Sequence, residues 1–238
     1  MTEPVQICRG FTDEQWRGLR KGLDDNDESA WSCAIEIFER RISERFLSCI
    51  DVLMNADSKL DVTVASGTPA DCSTLPHDAG RPVVVPGFAI LALCCLLAET
   101  LQSFRASPAQ APNQTGPCTF PAGRCIKPTT TDQFMTFLSR PAFNDAFKDG
   151  KVAKQFVQGV RNGILHEAET RRWVIWRDEP AGHIVEQLSP KRYAVNRGEF
   201  FRALKREFED YVKELGDPAN AQLRARFLKK MDDVTKQC

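Results

Sequence analysis

Three side chains within residues 161–166 could together act on a phosphodiester. Histidine moves protons near neutral pH, as His166 could do here. Arginine, here Arg161, binds phosphate through a planar fork that keeps its charge. Asn162 and His166 are four residues apart, so on a helix they share a face and the amide can orient the imidazole. The spacing indicates metal-free phosphodiester cleavage, while a helix-capping histidine beside a solvated arginine is the alternative.

The motif closes a predicted helix that runs from Val152 to about Ala168. Arg161 lies roughly 140° around this helix from His166, so its long side chain must reach around. Gly163 inside the helix costs about 1 kcal/mol relative to alanine. We interpret this glycine as a point of close approach by another backbone or a substrate, with a weak helix end as the alternative. The apolar residues that predict the helix recur at helical spacing and are Val152, Phe156, Val157, Val160, Ile164 and Leu165.

The motif resembles the signature of the HEPN superfamily, helical proteins of bacterial defence and toxin systems and of RNA processing. That signature is an arginine, then Asn, Asp or His, then a histidine after a short gap. Arg161, Asn162 and His166 match it position by position. The resemblance implies a mainly α fold, a HEPN-like helical bundle. Four further segments resemble bacterial HEPN-like proteins in their general run of residues, without a diagnostic motif. They are residues 38–47, 87–104, 166–170 and 203–215.

The resemblance also implies RNA cleavage without a metal ion or cofactor. The ribose 2′-hydroxyl would attack the adjacent phosphate and leave a cyclic phosphate and a free 5′-hydroxyl. His166 would transfer protons, Arg161 would neutralise the phosphorane charge, and Asn162 would orient His166 or contact the phosphate. One histidine and one arginine are few groups for two proton transfers. The resemblance therefore implies a homodimer in which two motifs meet across a two-fold axis.

Charged residues that follow the motif are further candidates for the site. Glu167 and Glu169 lie within one turn of His166 and could stabilise its protonated imidazole, or they are solvated acids at a helix end. Arg171 and Arg172 could bind RNA phosphates. Their alternative is a favourable interaction with the C-terminal end of the helix.

Aromatic and acidic residues elsewhere could support the same site. Trp173 and Trp176 could stack on bases, although alternation along a strand favours core packing for at least one of them. Glu99 lies in an apolar helix, where a carboxylate is more often buried and paired, and it could hold Arg161 in place. His183 is next to a predicted turn and is interpreted as a surface residue.

Composition predicts an ordinary globular chain that forms a single domain over residues 1–238. The 238 residues are 42% hydrophobic and 27% charged, with a formal net charge of zero, so the chain as a whole does not attract polyanions. Residues 151–238 carry 18 Lys and Arg against 13 Asp and Glu, whereas residues 1–60 carry 8 against 12. The motif thus lies in the more basic part, as binding of RNA as a partner would require, and ordinary scatter of surface charge is the alternative.

The first residues and the cysteines predict a reducing compartment. Residues 1–11 lack an apolar run after a basic start, so we expect a cytoplasmic protein without disulfides, including between Cys118 and Cys125. A zinc site made from these two cysteines with Cys72 and His77 is disfavoured, because the spacing is wider than that of a zinc knuckle. We expect no metal site and no cofactor.

An apolar stretch over residues 83–98 raises the question of a membrane. It contains Pro86 and Gly87, and the part after the proline is too short to cross a bilayer. We therefore predict a buried helix, with Cys94 and Cys95 as small core residues, and no membrane partner.

Capping signals and apolar spacing predict the remaining organisation. A β-hairpin at about residues 172–195, with its turn at 179–182 and a third short strand at 193–195, is inserted after the motif helix. Irregular loops are predicted at about 57–86 and 107–128. Helices are predicted at 12–23, 28–55, 87–105, 131–138, 141–148, 152–168 and 196–215, with a last helix opened by Asp217 and Pro218. Thr12 and Gln15 are expected to form a capping box for the first helix, and Asn196 is expected to cap the helix at 196–215.

The sequence leaves two further functions open beside RNA cleavage. One is a non-catalytic HEPN-like binding or scaffold protein of a defence system, whose motif stabilises a dimer. The other is a regulatory partner of a nucleotidyltransferase. For the ribonuclease, we expect a bacterial defence or toxin–antitoxin setting, with an antitoxin or another defence protein as partner.

Overall fold

The computed structural model describes residues 4–58, 86–106, 130–177 and 182–236. Almost all of the loops predicted at 57–86 and 107–128 falls outside these ranges. The cysteines and histidine of the disfavoured zinc site, and most of the turn predicted at 179–182, also lie outside the described residues.

Most of the described chain is helical, as the sequence predicts. Two helical segments contain a π-helical turn, at Ser43–Leu47 and at Val157–Arg161. The α-helices are α1 (Asp13–Asp24), α2 (Glu28–Ile42), α3 (Ser48–Ser58), α4 (Gly87–Arg105), α5 (Thr130–Leu138), α6 (Pro141–Phe147), α7 (Gly150–Phe156), α8 (Asn162–Glu167), α9 (Arg197–Gly216) and α10 (Ala221–Lys236).

Polar residues fix where several helices begin. The Thr12 side chain accepts from the Gln15 backbone while the Gln15 side chain reaches back to the Thr12 backbone, so α1 has the predicted capping box. Asn196 accepts from the backbone of Glu199 at the start of α9, as predicted. Such caps satisfy N–H groups that have no partner inside the helix.

Two clusters of aromatic side chains hold the helices together. Phe38 of α2 is central to the first, where its ring meets Phe104, Phe208, Tyr211 and Phe227. The second cluster surrounds Phe156, at the end of α7, and its other members are Phe134, Phe147, Trp173 and Phe200. Each aromatic pair contributes about 0.5–1.5 kcal/mol beyond the burial of its surface. The second cluster anchors the helical segment that carries the motif.

The three strands after the motif pair differently from the prediction. The strands are β3 (Trp173–Trp176), β4 (Val185–Ser189) and β5 (Arg192–Asn196), and the predicted third strand is confirmed. The predicted hairpin between the first two is wrong, because β5 lies in the centre, parallel to β3 and antiparallel to β4. Residues 190 and 191 make a short connection between β4 and β5, and the buried face of β5 explains why it takes the central place.

A smaller sheet near the N-terminus was not predicted. It joins β1 (Gln6–Cys8) to β2 (Phe11–Thr12) as an antiparallel pair. Two residues, at positions 9 and 10, turn the chain, and Gly10 has a φ of 83° that favours glycine. Strands this short give no readable alternation in the sequence.

The predicted start of the last helix is also wrong. Asp217 and Pro218 belong to a turn, in which the Asp217 carbonyl accepts from the Asn220 N–H at 3.0 Å, and α10 begins at Ala221. The Asp217 carboxylate caps this turn by accepting from the Ala219 N–H at 2.9 Å. Buried Arg224 donates to the carbonyls of Leu215 and Gly216 at the end of α9, which fixes the turn.

α4 is the helix that the apolar stretch predicts. Its 19 residues are long and apolar enough to cross a membrane by length and composition, with a mean hydropathy of 1.7. Within the described chain, however, 56% of the most apolar 18-residue part of this helix is buried inside the protein. The core includes Cys94 and Cys95. The prediction of a buried helix with two core cysteines is confirmed.

Candidate active site

The motif lies where a π-helical turn returns to regular α-helix. In the turn Val157–Arg161, the Asn162 N–H donates to the Val157 carbonyl, five residues back. A π turn is rare and occurs frequently at functional sites. Arg161 ends this wide turn, and Asn162 and His166 follow in α8 with their four-residue spacing intact. Sequence reasoning missed the π turn, because its extra residue leaves no mark in the apolar pattern.

Arg161 is held between two elements. Its Nε donates to Oε1 of Glu99 in α4, and its Nη1 donates to Oδ1 of Asn162 at 2.8 Å. The side chains of Arg161 and Glu99 are 15% and 23% exposed, so the ion pair is largely shielded from water. The two partners fix the guanidinium plane against α4. Glu99 thus holds Arg161 in place, the role that the sequence suggested for it.

The Asn162 amide orients the arginine and not the histidine. Its oxygen accepts from Arg161, and among the described residues no hydrogen bond joins it to His166. This corrects the expectation that Asn162 orients the imidazole. The reason is local, because the Arg161 guanidinium is adjacent in sequence and forms a charge-assisted hydrogen bond with the Asn162 amide oxygen.

His166 is exposed in the last turn of α8. No hydrogen bond or ion pair to its ring is found within the part of the chain that the structure describes. The imidazole is therefore free to accept or donate a proton to a bound molecule, which is a requirement for acid–base chemistry.

Gly163 is the point of close approach that the sequence predicts. A Cβ built there would lie 2.2 Å from the carbonyl oxygen of Glu169. The Glu169 N–H in turn donates to the Gly163 carbonyl at 3.1 Å, and Ala168 takes a left-handed φ of 54° so that the chain can reverse. The approaching backbone thus belongs to the same chain, and Gly163 itself gives no reason to expect a second copy there.

The acidic residues after His166 have structural partners. The Glu167 carboxylate accepts from Arg171 at 2.6 Å and both side chains are exposed. The hydrogen bond from Arg171, with its charge and that of His166, holds the pKa of Glu167 below its usual value despite some desolvation. The side chain of Glu169 is exposed, and its backbone packs on Gly163.

Arg171 and Arg172 are exposed beside the motif, whereas Trp173 is not. Arg171 adopts a left-handed φ of 50°, and the Arg172 carbonyl accepts from Tyr193 at 3.2 Å. Trp173 is 5% exposed, stacked on Tyr193 and set edge-on to Phe156. The expectation that Trp173 stacks on bases is therefore wrong, because its ring is buried in the core. Trp176 is half-buried.

A buried thiol lies close to the Arg161–Glu99 pair. Cys95 lies one turn before Glu99 and is fully buried. Burial raises the pKa of the Cys95 thiol, the Glu99 carboxylate raises it further, and Arg161 opposes this. The thiol is therefore a neutral core group beside the ion pair.

Among residues 4–58, 86–106, 130–177 and 182–236, no group of three His, Cys, Asp or Glu side chains is arranged to hold a metal ion. Comparisons of the chain with protein-family profiles, curated proteins and solved structures find no match. The HEPN resemblance consequently depends on Arg161, Asn162 and His166 and on the helical character of the fold.

Proposed function

We propose that this protein is a HEPN-like, metal-independent endoribonuclease that cleaves RNA by attack of the ribose 2′-hydroxyl. The observation that carries the proposal is an exposed histidine in the same helical segment as an arginine, five residues earlier, whose side chain is held in place. The His166 ring is open to a substrate, and Arg161 is held in place by Glu99 and Asn162. A proton-transfer group and a fixed positive charge are the two kinds of group that phosphodiester cleavage without a metal uses.

Arg161 keeps the capacity to bind a phosphate although it is paired. A guanidinium has five N–H donors, and the known partners of Arg161 take one on Nε and one on Nη1. The remaining donors on Nη1 and Nη2 can meet the oxygens of a phosphorane. Because the guanidinium is already oriented, little conformational entropy is lost when the charge develops.

His166 takes part in proton transfer in this proposal. As a base it removes the 2′-hydroxyl proton while the 2′-oxygen bonds to phosphorus. The bond from phosphorus to the 5′-oxygen breaks, and that oxygen takes a proton from a protonated imidazole. The products are a 2′,3′-cyclic phosphate and a free 5′-hydroxyl, so DNA cannot react.

A homodimer would supply the second imidazole. Each protomer has one His166, and a two-fold axis near α8 would bring two of them to one scissile phosphate. Leu96, three residues before Glu99 in α4, is 40% exposed and Phe88 is 39% exposed. Both positions fall on roughly the face of α4 that carries Glu99, about one and three turns from it, and these exposed apolar side chains support an interface along this face.

The test of the function is cleavage of RNA in the presence of EDTA. We expect RNA to be cut and a DNA strand of the same sequence to survive. The product ends should be cyclic or 3′-phosphate and 5′-hydroxyl. A strict requirement for magnesium, or cleavage of DNA at a similar rate, would exclude the proposed mechanism.

A second candidate is a non-catalytic dimeric scaffold of a defence system, or a regulatory partner of a nucleotidyltransferase. The Arg161–Glu99 ion pair favours it, because a largely shielded arginine paired with a carboxylate is also what a structural role requires. Under this alternative, His166→Ala changes no RNA-directed activity. For either candidate, the proposed setting is the bacterial cytoplasm, with an antitoxin or another defence protein as partner.

A further inference from the structure

A cavity of about 500 Å³ lies away from the motif, where four helical elements meet. The end of α4 contributes Arg105, the α5–α6 junction contributes Arg140, α9 contributes Glu214, and α10 contributes Arg226. Arg105 follows Glu99 by six residues in α4, which is roughly 9 Å along the helix axis. The cavity is therefore separate from the candidate active site.

Positive charge exceeds negative charge in this cavity. Arg105 donates to both oxygens of Glu214, at 2.7 and 3.1 Å. Arg140 donates to buried Glu207 at 3.0 Å and lies 3.6 Å from Glu214. Among the residues that line the cavity, three guanidinium groups therefore stand against one carboxylate, that of Glu214. The carboxylates of Glu207, which pairs with Arg140, and of Asp217, which accepts from the Ala219 N–H, are not part of the lining.

Arg226 supplies positive charge to the cavity that no described carboxylate of the lining balances. Its Nη1 donates to the backbone carbonyl of Arg105 at 3.1 Å. Within the described ranges, no carboxylate lies at salt-bridge distance from it. The side chain is half-buried, so its charge is partly shielded from water, and no described carboxylate pairs with it.

The beginning of α10 adds to the same potential. Residues 219–223 line the cavity, and α10 begins at Ala221. The first backbone N–H groups of a helix have no partner inside it and carry partial positive charge. The Asn220 amide nitrogen donates to the Glu214 carbonyl in α9, and the Asp217 carboxylate accepts from the Ala219 N–H before the helix begins.

We propose that this cavity binds a small molecule with a di- or triphosphate group, such as a nucleotide. Its volume falls within the range of about 300–1,000 Å³ typical of small-molecule sites. Arginine forks match phosphate oxygens in pairs, and Arg226 has donors to offer. Glu214 already occupies part of the arginine cluster, so a ligand must carry more charge than one carboxylate. A polyphosphate meets this requirement.

The proposal is independent of RNA cleavage, because binding is measured without any turnover. Calorimetric titration of the full chain with pyrophosphate, up to about 5 mM, tests the phosphate chemistry alone. Titrations with ATP and with a short single-stranded DNA distinguish a nucleotide from a strand backbone. We expect pyrophosphate and ATP to bind. Binding of the DNA alone, or of none of the three, would overturn the proposal.

Arg226→Ala is the variant that tests the site. It removes one hydrogen bond to a backbone carbonyl, so the fold should persist, and circular dichroism checks this. We expect pyrophosphate affinity to fall about tenfold or more. Lys229→Ala is the matched control, since it removes the same charge from an exposed position on α10 and should leave affinity unchanged. Equal losses in both variants would show only a general effect of charge and would overturn the proposal.

Glu214→Gln provides a test in the opposite direction. It removes the negative charge that competes for Arg105 and Arg140, while it keeps the shape of the side chain. We expect pyrophosphate to bind several-fold more tightly to the folded variant. Weaker binding to this variant would contradict the assignment of Glu214 as a competitor within the site.

Discussion

At the scale of single residues, Arg161 obtains its orientation from a residue distant in sequence. Glu99 lies 62 positions earlier and meets it only because α4 packs beside α8. The sequence indicated Glu99 through its position in an apolar helix, where a carboxylate needs a partner. It could not indicate the bond from Arg161 to Asn162, because the direction of a side chain depends on the π turn before it.

Glu99→Gln should separate positioning from binding in the proposed ribonuclease. The variant keeps a hydrogen-bond acceptor for Arg161 but loses the charge that fixes it. We expect kcat on RNA to fall about tenfold while KM does not rise, because a less constrained arginine still attracts phosphate. Steady-state kinetics measures this. A rise in KM with unchanged kcat would assign Glu99 to substrate binding and not to positioning.

Gly163→Ala should destabilise the fold. The new Cβ would meet the Glu169 carbonyl oxygen, which is backbone and cannot rotate away. We expect the free energy of unfolding in urea to fall by about 1–3 kcal/mol. Gly18→Ala in α1 is the control. Among the described residues, no packing neighbour lies within 4 Å of its added Cβ, so it should gain about 0.5–1 kcal/mol. A stable Gly163→Ala protein would mean that the reversal at Ala168 is not as tight as described.

At the scale of elements, local signals predicted the helices better than the strands. The Thr12 and Asn196 caps and the apolar stretch of α4 specify structure within one segment. The pairing of β3 with β5 depends on which strand can bury both faces, a property of the packed molecule. Asp217 and Pro218 carry a helix-start signal but form a turn, since Arg224 binds the end of α9.

Trp173→Ala tests the assignment of this side chain to the core. Its ring lies between β5 and the end of α7, in contact with Tyr193 and Phe156. We expect a loss of about 3–5 kcal/mol in the free energy of unfolding. Trp176→Ala, at a half-buried neighbouring position, should lose distinctly less. If Trp173→Ala instead weakened RNA binding and left stability unchanged, the ring would have to be accessible to bases.

At the scale of the whole molecule, the proposed activity depends on a second copy of the chain. Light scattering at micromolar concentration should give about twice 26.7 kDa. Leu96→Glu should shift the protein toward monomer, because it places a charge on the exposed apolar side of α4. Leu188→Glu alters an equally exposed residue on β4 and should leave the dimer intact. A strict monomer at that concentration would remove the argument for a composite site.

The central claim is that His166 transfers protons during RNA cleavage, and one comparison tests it most directly. Wild type, His166→Ala and His183→Ala are assayed on the same RNA in EDTA, together with any partner that wild type requires for activity. His183 is also exposed but follows β3 in the chain and is the matched control. We expect the rate of His166→Ala to fall about 10²–10⁴-fold, with circular dichroism unchanged, and that of His183→Ala to equal wild type. An undiminished rate in His166→Ala would contradict the account.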